Sequence, residues 1–298
     1  MLYAAGAVGV LIGREGNVRQ MVTITKENFS LEQICQSGQC FRMEQLTEGS
    51  YSLVALGRYL RMEQEGQRIS FHCSQEEFDT LWKDYFDLDT DYGRMIVSVK
   101  EEDTYLKAAA AYGSGVRILR QELWEMIISF IISQQNNIKR IRKCIDLLCR
   151  AYGEEQQTEW GSTYFTFPTP RALAAAELED LYRCNLGYRS RYVKETAVCV
   201  VKGLVDLERV TALAADGAAS GWEEVYQELK KLCGVGDKVA ACICLFSLHH
   251  LDAFPVDTHI ARVMKERYPK GFPFEAYPGY AGVLQQYIFY YDLYRSKM

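Results

Sequence analysis

The alternation of apolar and polar residues changes its period once along the chain. Between residues 21 and 73 it has the two-residue period of half-buried strands, as in YSLVAL and RISFHC. From Glu101 onward apolar residues recur every three or four positions, the period of amphipathic helices. Strands followed by helices predict an α+β fold: an N-terminal antiparallel β-sheet domain with few helices, then a mostly α-helical, two-lobed region.

Helix-start signals and composition divide the chain further. Ser30 and Gln33 have the spacing of a capping box, and Ser74 is followed by acidic residues, as at a helix start. We expect a sheet domain over 21–112 and a helical domain over 113–298.

Residues 1–20 are short and apolar but lack the basic segment and cleavage site of a signal peptide. They are expected to form an extra strand, or a leader upstream of an alternative start at Met21 that is not part of the native protein.

Composition narrows the chemistry. The chain has 298 residues, 48% of them apolar, which is ample for a buried core. Its ten cysteines lie in apolar helical patterns, without a Cys-x-x-Cys pair and with none after Cys244. Reduced thiols are therefore expected, with no zinc site and no iron-sulfur cluster. No apolar run reaches the length needed to span a membrane, so no membrane association is expected.

The net charge of the chain argues against nucleic-acid binding, but local clusters of basic residues allow it. The formal net charge is −5, whereas DNA-binding domains are usually basic. Two basic clusters nevertheless occur, and either could equally be a solvated helix face. They comprise Lys139, Arg140, Arg142 and Lys143, and Arg183, Arg189, Arg191 and Lys194. If DNA binds, few phosphates are neutralised and a modest salt dependence is expected.

The segment from Leu232 to Arg262 carries the most specific chemistry. Gly234 and Gly236 allow a tight turn, and the amides there and at the following helix start suit a phosphate. Lys238 occupies a first turn, where the helix dipole disfavours a cation, so its amine is either incidental or functional. A helix-hairpin-helix is therefore expected near residues 222–250.

Two further features support a functional amine. Lys238 and Cys242 are four residues apart, so they lie on one face of the predicted helix. Asp257 follows Pro255 and precedes a helical pattern that runs to Tyr268, which makes it either a helix N-cap or a catalytic carboxylate.

This segment resembles the helix-hairpin-helix, Gly/Pro-rich loop and Asp signature of the base-excision DNA glycosylases, and most closely the 8-oxoguanine DNA glycosylases. The resemblance extends from about Phe29 to Phe289. It implies that Lys238 is the nucleophile and Asp257 its assisting carboxylate. It also implies that Gly234 and Gly236 grip the DNA backbone.

Further motifs match that family around the damaged base. In QSGQCFR, Gly38 would supply a carbonyl that accepts from the protonated N7 of 8-oxoguanine; the local sequence fits a helix C-cap equally well. Gln285 and Phe289 lie four apart on the last predicted helix, and the family reads and stacks the flipped base with residues at these positions. Cys242 would cover the opposite face of the base.

Other matches concern the DNA strands. By resemblance Tyr188 is the wedge that fills the gap, and Arg140 and Arg189 bond the orphaned cytosine. In SQQNNIKRI the family has three asparagines, and the first two correspond to Gln135 and Asn136. The glutamine's extra methylene leaves the stringency of the cytosine preference open. His259 matches a phosphate-contacting histidine.

Together these features predict a bifunctional DNA glycosylase and AP lyase that flips out and excises 8-oxoguanine from duplex DNA, opposite cytosine. The chemistry proceeds through a lysine Schiff base and β-elimination, without a cofactor or a metal. We expect a monomer, located inside the cell and, if bacterial, cytoplasmic or nucleoid-associated. Glycosylase action on another damaged base, a non-catalytic helix-hairpin-helix module that binds DNA, and a Schiff-base enzyme acting on a small carbonyl compound remain alternatives.

Overall fold

The computed structural model describes residues 7–12, 18–216 and 219–295, with side chains over 20–215 and 222–295. The chain divides into two compact units. Unit 1 takes in residues up to 54, residues 58–120 and residues from 286 onward, and unit 2 takes in residues 55–57 and 121–285. The last helix therefore contributes to both units.

Unit 1 contains an antiparallel sheet of six strands in the order β1-β2-β6-β5-β4-β3. The strands are β1 Ala7–Ile12, β2 Val18–Thr25, β3 Met43–Thr47, β4 Ser50–Ala55, β5 Arg58–Glu65 and β6 Arg68–His72. In β6 the buried Ile69 and Phe71 alternate with more exposed residues, as the sequence predicts. β4 differs, because its serines are buried along with its apolar residues.

Short helices accompany the sheet of unit 1. They are α1 Leu31–Gln36, α2 Gln75–Glu77, a π-helical segment Phe78–Trp82, α3 Lys83–Tyr85, α4 Tyr92–Val97 and α5 Thr104–Tyr112. Ser30 and Ser74 cap α1 and α2 as predicted. Gln33 does not complete the capping box, because its side chain bonds the carbonyl of Tyr112 and the amide of Gly115.

Unit 2 is mostly helical, with one small hairpin of β7 Glu155–Gln157 and β8 Thr163–Phe165. Its first helices are α6 Leu123–Ser133, α7 Ile138–Tyr152, α8 Pro170–Ala175, α9 Leu178–Arg183 and α10 Arg189–Val201. They are followed by α11 Leu207–Asp216, α12 Ala219–Lys230, α13 Asp237–Phe246, α14 Thr258–Arg267, a 3₁₀ turn Phe274–Ala276 and α15 Ala281–Arg295, which continues into unit 1. The architecture is thus an N-terminal antiparallel sheet followed by a helical region, which confirms the predicted α+β fold.

The core of unit 2 forms around α6 and α13, whose sides are apolar nearly all round. Val239, Ile243 and Phe246 of α13 are buried, as their helical spacing predicts. The ten cysteines are all thiols and form no disulfide. Within the described part of the chain, no helix has both the length and the hydropathy to cross a membrane.

Candidate functional site

The site is built around the turn that joins α12 to α13. Gly234 adopts φ +82°, and a Cβ there would lie 2.7 Å from the ring of Tyr192. Its carbonyl accepts from the Nε2 of Gln134 at 2.9 Å, which fixes the turn. Gly236 caps α13 with φ −97°, and a Cβ there would meet nothing within 4 Å. The turn needs a glycine at 234, whereas 236 leaves open space before a helix N-terminus, where an anion is favoured.

Lys238 is the second residue of α13 and so lies in its first turn. It is half-buried, and its Nζ stands 5.5 Å from the centroid of the Phe130 ring on α6. The first turn of the helix also contains Asp237, which forms an ion pair with Lys230 at 2.6 Å. The acidic neighbour is therefore paired across the hairpin with another cation.

The thiol of Cys242 interacts electrostatically with both Lys238 and Asp257. Burial raises the pKa of its thiol, the neighbouring Lys238 charge opposes that effect, and the Asp257 carboxylate adds to it. The Cys242 thiol is hydrogen-bonded to Lys238, and the Asp257 carboxylate lies within electrostatic range of it.

Asp257 is also the N-cap of α14. Its Oδ1 accepts from the amide of Ile260 at 2.8 Å, so one of the two readings left open by the sequence is correct. The capped carboxylate is in electrostatic range of Cys242, so a structural and a chemical role are compatible in the same side chain. His259, the second residue of α14, is half-buried.

Gln285 has a polar atom left over. The side chain is only 4% exposed, and its Nε2 donates to the carbonyl of Pro255 at 2.9 Å. Its Oε1 is buried without a hydrogen-bond partner. A buried, unpaired acceptor is costly, and a donor from a ligand would satisfy it.

Gly38 and Phe289 belong to unit 1. Gly38 follows the C-cap Ser37 of α1 with φ +77°, the conformation of a glycine that ends a helix. The Ser37 carbonyl accepts from the Nε2 of Gln286 at 2.6 Å. Phe289 is half-buried and lies one turn after Gln285 on α15.

A second group of predicted residues surrounds the turn between α6 and α7. Gln135 is exposed and has φ +46°, a conformation that few non-glycine residues adopt. The side chain of Asn136 bonds the carbonyl of Ile132 and the amide of Asn137. Arg140 is exposed, its Nη2 donates to the carbonyl of Asn185 at 3.5 Å, and it also bonds the thiol of Cys144.

Tyr188 and Arg189 differ sharply in exposure. The Tyr188 ring is 45% exposed, as a wedge needs to be, whereas Arg189 is only 3% exposed. The Arg189 guanidinium lies over the Tyr188 ring at 4.5 Å and donates to the carbonyls of Gln134, Gln135 and Leu186. In this structure its donors therefore hold the α6–α7 turn.

The second basic cluster is likewise engaged within the protein. Arg183 pairs with Asp180, and Arg191 pairs with Glu195. Lys194 donates to the carbonyl of Ala176. Lys139, Arg140 and Lys143 of the first cluster are exposed, so they can reach phosphates.

Sequence reasoning missed two residues that shape this region. Gln134 fixes the Gly234 turn and lies inside the SQQNNIKRI motif, so its polar side chain at a helix end was an available signal. Phe130, beneath Lys238, is one apolar residue in an apolar helix and gave no signal.

Comparison with known proteins gives a consistent assignment. The family described as "8-oxoguanine DNA glycosylase, N-terminal domain" matches residues 21–127. The family described as "HhH-GPD superfamily base excision DNA repair protein" matches residues 128–269. The fold and the hairpin thus define the class: a helix-hairpin-helix protein of base-excision repair.

Individual relatives narrow the class. The N-glycosylase/DNA lyase of Saccharomyces cerevisiae is 32% identical over 83% of this chain and 70% of its own length. An N-glycosylase/DNA lyase of Arabidopsis thaliana is 28% identical over 80% of this chain and 66% of its own. The 8-oxoguanine glycosylase/lyase of Clostridium acetobutylicum, solved with double-stranded DNA containing cytosine opposite 8-oxoguanine, superposes with a TM-score of 0.84, at 32% identity and 98% coverage of both chains.

The chain belongs to the N-glycosylase/DNA lyase family of the HhH-GPD superfamily, that is, to the DNA glycosylases with lyase activity.

Proposed function

We propose that this chain excises 8-oxoguanine from duplex DNA and then cleaves the strand, with Lys238 as nucleophile. The observation that carries the proposal is that Lys238, in the first turn of α13 after the Gly234 turn, is hydrogen-bonded to Cys242, with Asp257 in electrostatic range of the same thiol. An amine and a carboxylate that both act on one buried thiol, near a helix start suited to a phosphate, are compatible with covalent attack on a nucleotide sugar. Family membership supplies the reaction class.

The amine of Lys238 would attack C1′ of an everted nucleotide. Its lone pair forms the C1′–N bond as the bond to the base breaks, and the electron pair leaves with the base. The nitrogen then carries a positive charge until its proton passes to the departing base. Opening of the sugar gives a Schiff base, which permits β-elimination of the 3′ phosphate and hence a nick.

Asp257 would act on the positive charge that develops on the sugar. Its carboxylate is fixed by the hydrogen bond to the Ile260 amide, so it needs little reorganisation when charge appears. The same carboxylate would orient the Lys238 amine.

Gln285 would read the flipped base. The Watson–Crick edge of 8-oxoguanine offers N–H donors, and the unpaired Oε1 of Gln285 is a buried acceptor. By family resemblance Cys242 and Phe289 would cover the two faces of the base, and the Gly38 carbonyl would accept from its protonated N7. An unmodified guanine has an acceptor at N7 and would leave that carbonyl unpaired.

Contacts to the two DNA strands would come from the α6–α7 turn, the α10 start, the hairpin and α14. The residues we propose for them are Gln135, Asn136, Arg140, Tyr188, Arg189, Gly234, Gly236 and His259. Arg189 would have to exchange its bonds to the Gln134 and Gln135 carbonyls for bonds to an orphaned cytosine. A rearrangement of this turn on DNA binding is therefore part of the proposal.

Replacement of the amine tests the mechanism. Lys238→Gln should abolish borohydride trapping and strand cleavage while it leaves binding to a lesion-containing duplex within a few-fold, because only the nucleophile is lost. Lys230→Gln is the matched control, since Lys230 lies on the same hairpin but pairs with Asp237. It should still trap. Cleavage by the Lys238 variant would disprove the nucleophile assignment.

The substrate is tested with the unmodified chain. Trapping should be fastest on duplexes that carry 8-oxoguanine opposite cytosine, compared with the other three partner bases, with an oxidised pyrimidine and with an alkylated purine. Faster trapping on another lesion would move the assignment to a different glycosylase. Tight binding that ignores damage, without trapping, would point to a non-catalytic DNA-binding module.

A further inference from the structure

Two stacked phenylalanines form a floor beneath the Lys238 amine. Phe130 of α6 is 3% exposed, and the Lys238 Nζ lies 5.5 Å from its ring centroid. The ring of Phe246, at the end of α13, stacks on Phe130 with centroids 5.5 Å apart and planes at 17°. The amine thus faces an aromatic ring that is itself stacked on a ring of a second helix.

Hydrogen bonds to its backbone carbonyl hold Phe246 in place. The Phe246 carbonyl accepts from the amide of Gln121 at 3.2 Å and from the Gln121 side chain at 3.3 Å. Gln121 lies two residues before α6, so these bonds tie the end of α13 to the start of the helix that carries Phe130. Both rings are buried, and the ring under the amine is therefore held in one orientation.

A benzene ring has a negative face, which attracts a cation placed within about 6 Å of its centroid. The attraction is larger when the pair is shielded from water, as it is here on the Phe130 side. The ring offers the amine no hydrogen-bond acceptor, unlike water. A nitrogen held over it is electrostatically favoured whenever it becomes positive.

We propose that Phe130 is a positioning residue that holds the Lys238 nitrogen toward Cys242 and Asp257 and stabilises positive charge on it. The inference rests on the proposed role of Lys238 as nucleophile. The nitrogen becomes cationic when its lone pair bonds C1′ and the base departs with the electrons of the broken bond. It is cationic again in the iminium form of the Schiff base, so the ring acts in the covalent steps rather than in DNA binding.

Stepwise fluorination of one ring tests this without changing its shape. Phenylalanine at 130 is replaced by its 4-fluoro, 3,5-difluoro and 3,4,5-trifluoro analogues, which progressively remove the negative charge of the ring face. The measurement is the single-turnover rate of borohydride trapping on a duplex with a preformed abasic site. The rate should fall with each added fluorine, by roughly three- to tenfold across the series, while the Kd for the duplex stays constant.

A matched variant separates charge from packing. Phe246→Leu removes the stacking partner but leaves the ring at 130 in place, and Phe130→Leu keeps apolar volume but removes the ring. Trapping should slow more in Phe130→Leu than in Phe246→Leu when the two variants are compared at the same folded fraction. Phe130→Trp, measured at the same folded fraction, should trap faster than Phe130→Leu because it restores an aromatic ring.

The possible outcomes are distinct. A flat rate across the fluorinated series, in a chain that traps normally, overturns the role of Phe130 and leaves the proposed function standing. An equal loss in Phe246→Leu, without a trend in the series, assigns the pair to packing alone. If the unmodified chain traps neither the abasic nor the lesion duplex, the assignment of Lys238 fails, and the inference fails with it.

Discussion

Gln285 shows at the residue scale how a site differs from a core. A side-chain amide in a core normally has hydrogen-bond partners for both its nitrogen and its oxygen. Gln285 donates to the Pro255 carbonyl through Nε2 but leaves Oε1 buried and unpaired. Leaving such an atom unpaired costs about 1–3 kcal/mol, which a folded chain tolerates where a ligand supplies the missing donor. The sequence predicted the position of this side chain on the helix, but not its unpaired oxygen.

That oxygen leads to a prediction about selectivity. Gln285→Met keeps the length of the side chain and removes its polar atoms. Excision of 8-oxoguanine should fall by roughly ten- to a hundredfold, because the base loses its acceptor. Strand cleavage at a preformed abasic site, which has no base to read, should change little. The two rates are measured on otherwise identical duplexes, and an equal loss on both would refute base reading by Gln285.

Asp257 and Arg189 mark the limits of residue-level inference. The sequence left Asp257 as either a cap or a catalytic carboxylate, and the structure shows a cap whose charge also acts on the Cys242 thiol. Arg189 was expected to be available to a base, yet its guanidinium is buried against carbonyls. A residue's type predicts which bonds it can make, but the neighbours that compete for those bonds come from the fold.

The α12–α13 hairpin shows what an element requires of its glycines. Gly234 has a left-handed backbone and touches the Tyr192 ring, whereas Gly236 has ordinary backbone angles and open space around it. The sequence predicted the turn from both glycines equally. The structure separates a glycine needed for folding from one that leaves room for a phosphate.

These two glycines give a paired prediction. Gly234→Ala should destabilise the protein by about 2 kcal/mol or more, from backbone strain and the clash with Tyr192. Gly236→Ala should cost less than about 1 kcal/mol but weaken DNA binding, because the added methyl group occupies the approach to the helix start. Urea unfolding and duplex titrations separate the effects. Undiminished DNA affinity in a folded Gly236→Ala protein would contradict the phosphate role.

Capping illustrates why local signals predict element starts well but not side-chain partners. Ser30, Ser74 and Asp257 all cap the helices that the sequence placed after them, because a cap involves only residues three positions apart. The side chain of Gln33 was expected to bond the backbone amide of Ser30, the cap of its own helix. It bonds Tyr112 and Gly115 instead, which are distant in sequence and invisible to a local pattern.

At the scale of the whole molecule, the charge pattern limits how DNA can be held. The net charge is −5, and three members of the second basic cluster, Arg183, Arg191 and Lys194, already have partners within the protein. The exposed members of the first cluster are Lys139, Arg140 and Lys143. A DNA contact made chiefly by these three cations would neutralise few phosphates and would be short.

The salt dependence of DNA binding measures how many phosphates the protein neutralises. The slope of log K against log salt should be shallower than about −4, since each neutralised phosphate contributes about −0.9. Replacing Lys139 and Lys143 with Gln should reduce the slope by up to about 2, whereas Arg183→Gln, whose arginine pairs with Asp180, should leave it unchanged. A steep slope that is insensitive to the first pair would place the DNA contact elsewhere.

The sequence by itself determined the order of strands and helices, the hairpin and the chemical types around it. Hydrophobic period, caps and glycines act over a few residues, so a linear pattern contains them. Only the tertiary structure decided that Lys238 lies over Phe130, that Arg189 is buried and that Gln285 keeps an unpaired oxygen. These depend on packing between residues far apart in the chain, where burial sets both the cost of a polar atom and the partners it can reach.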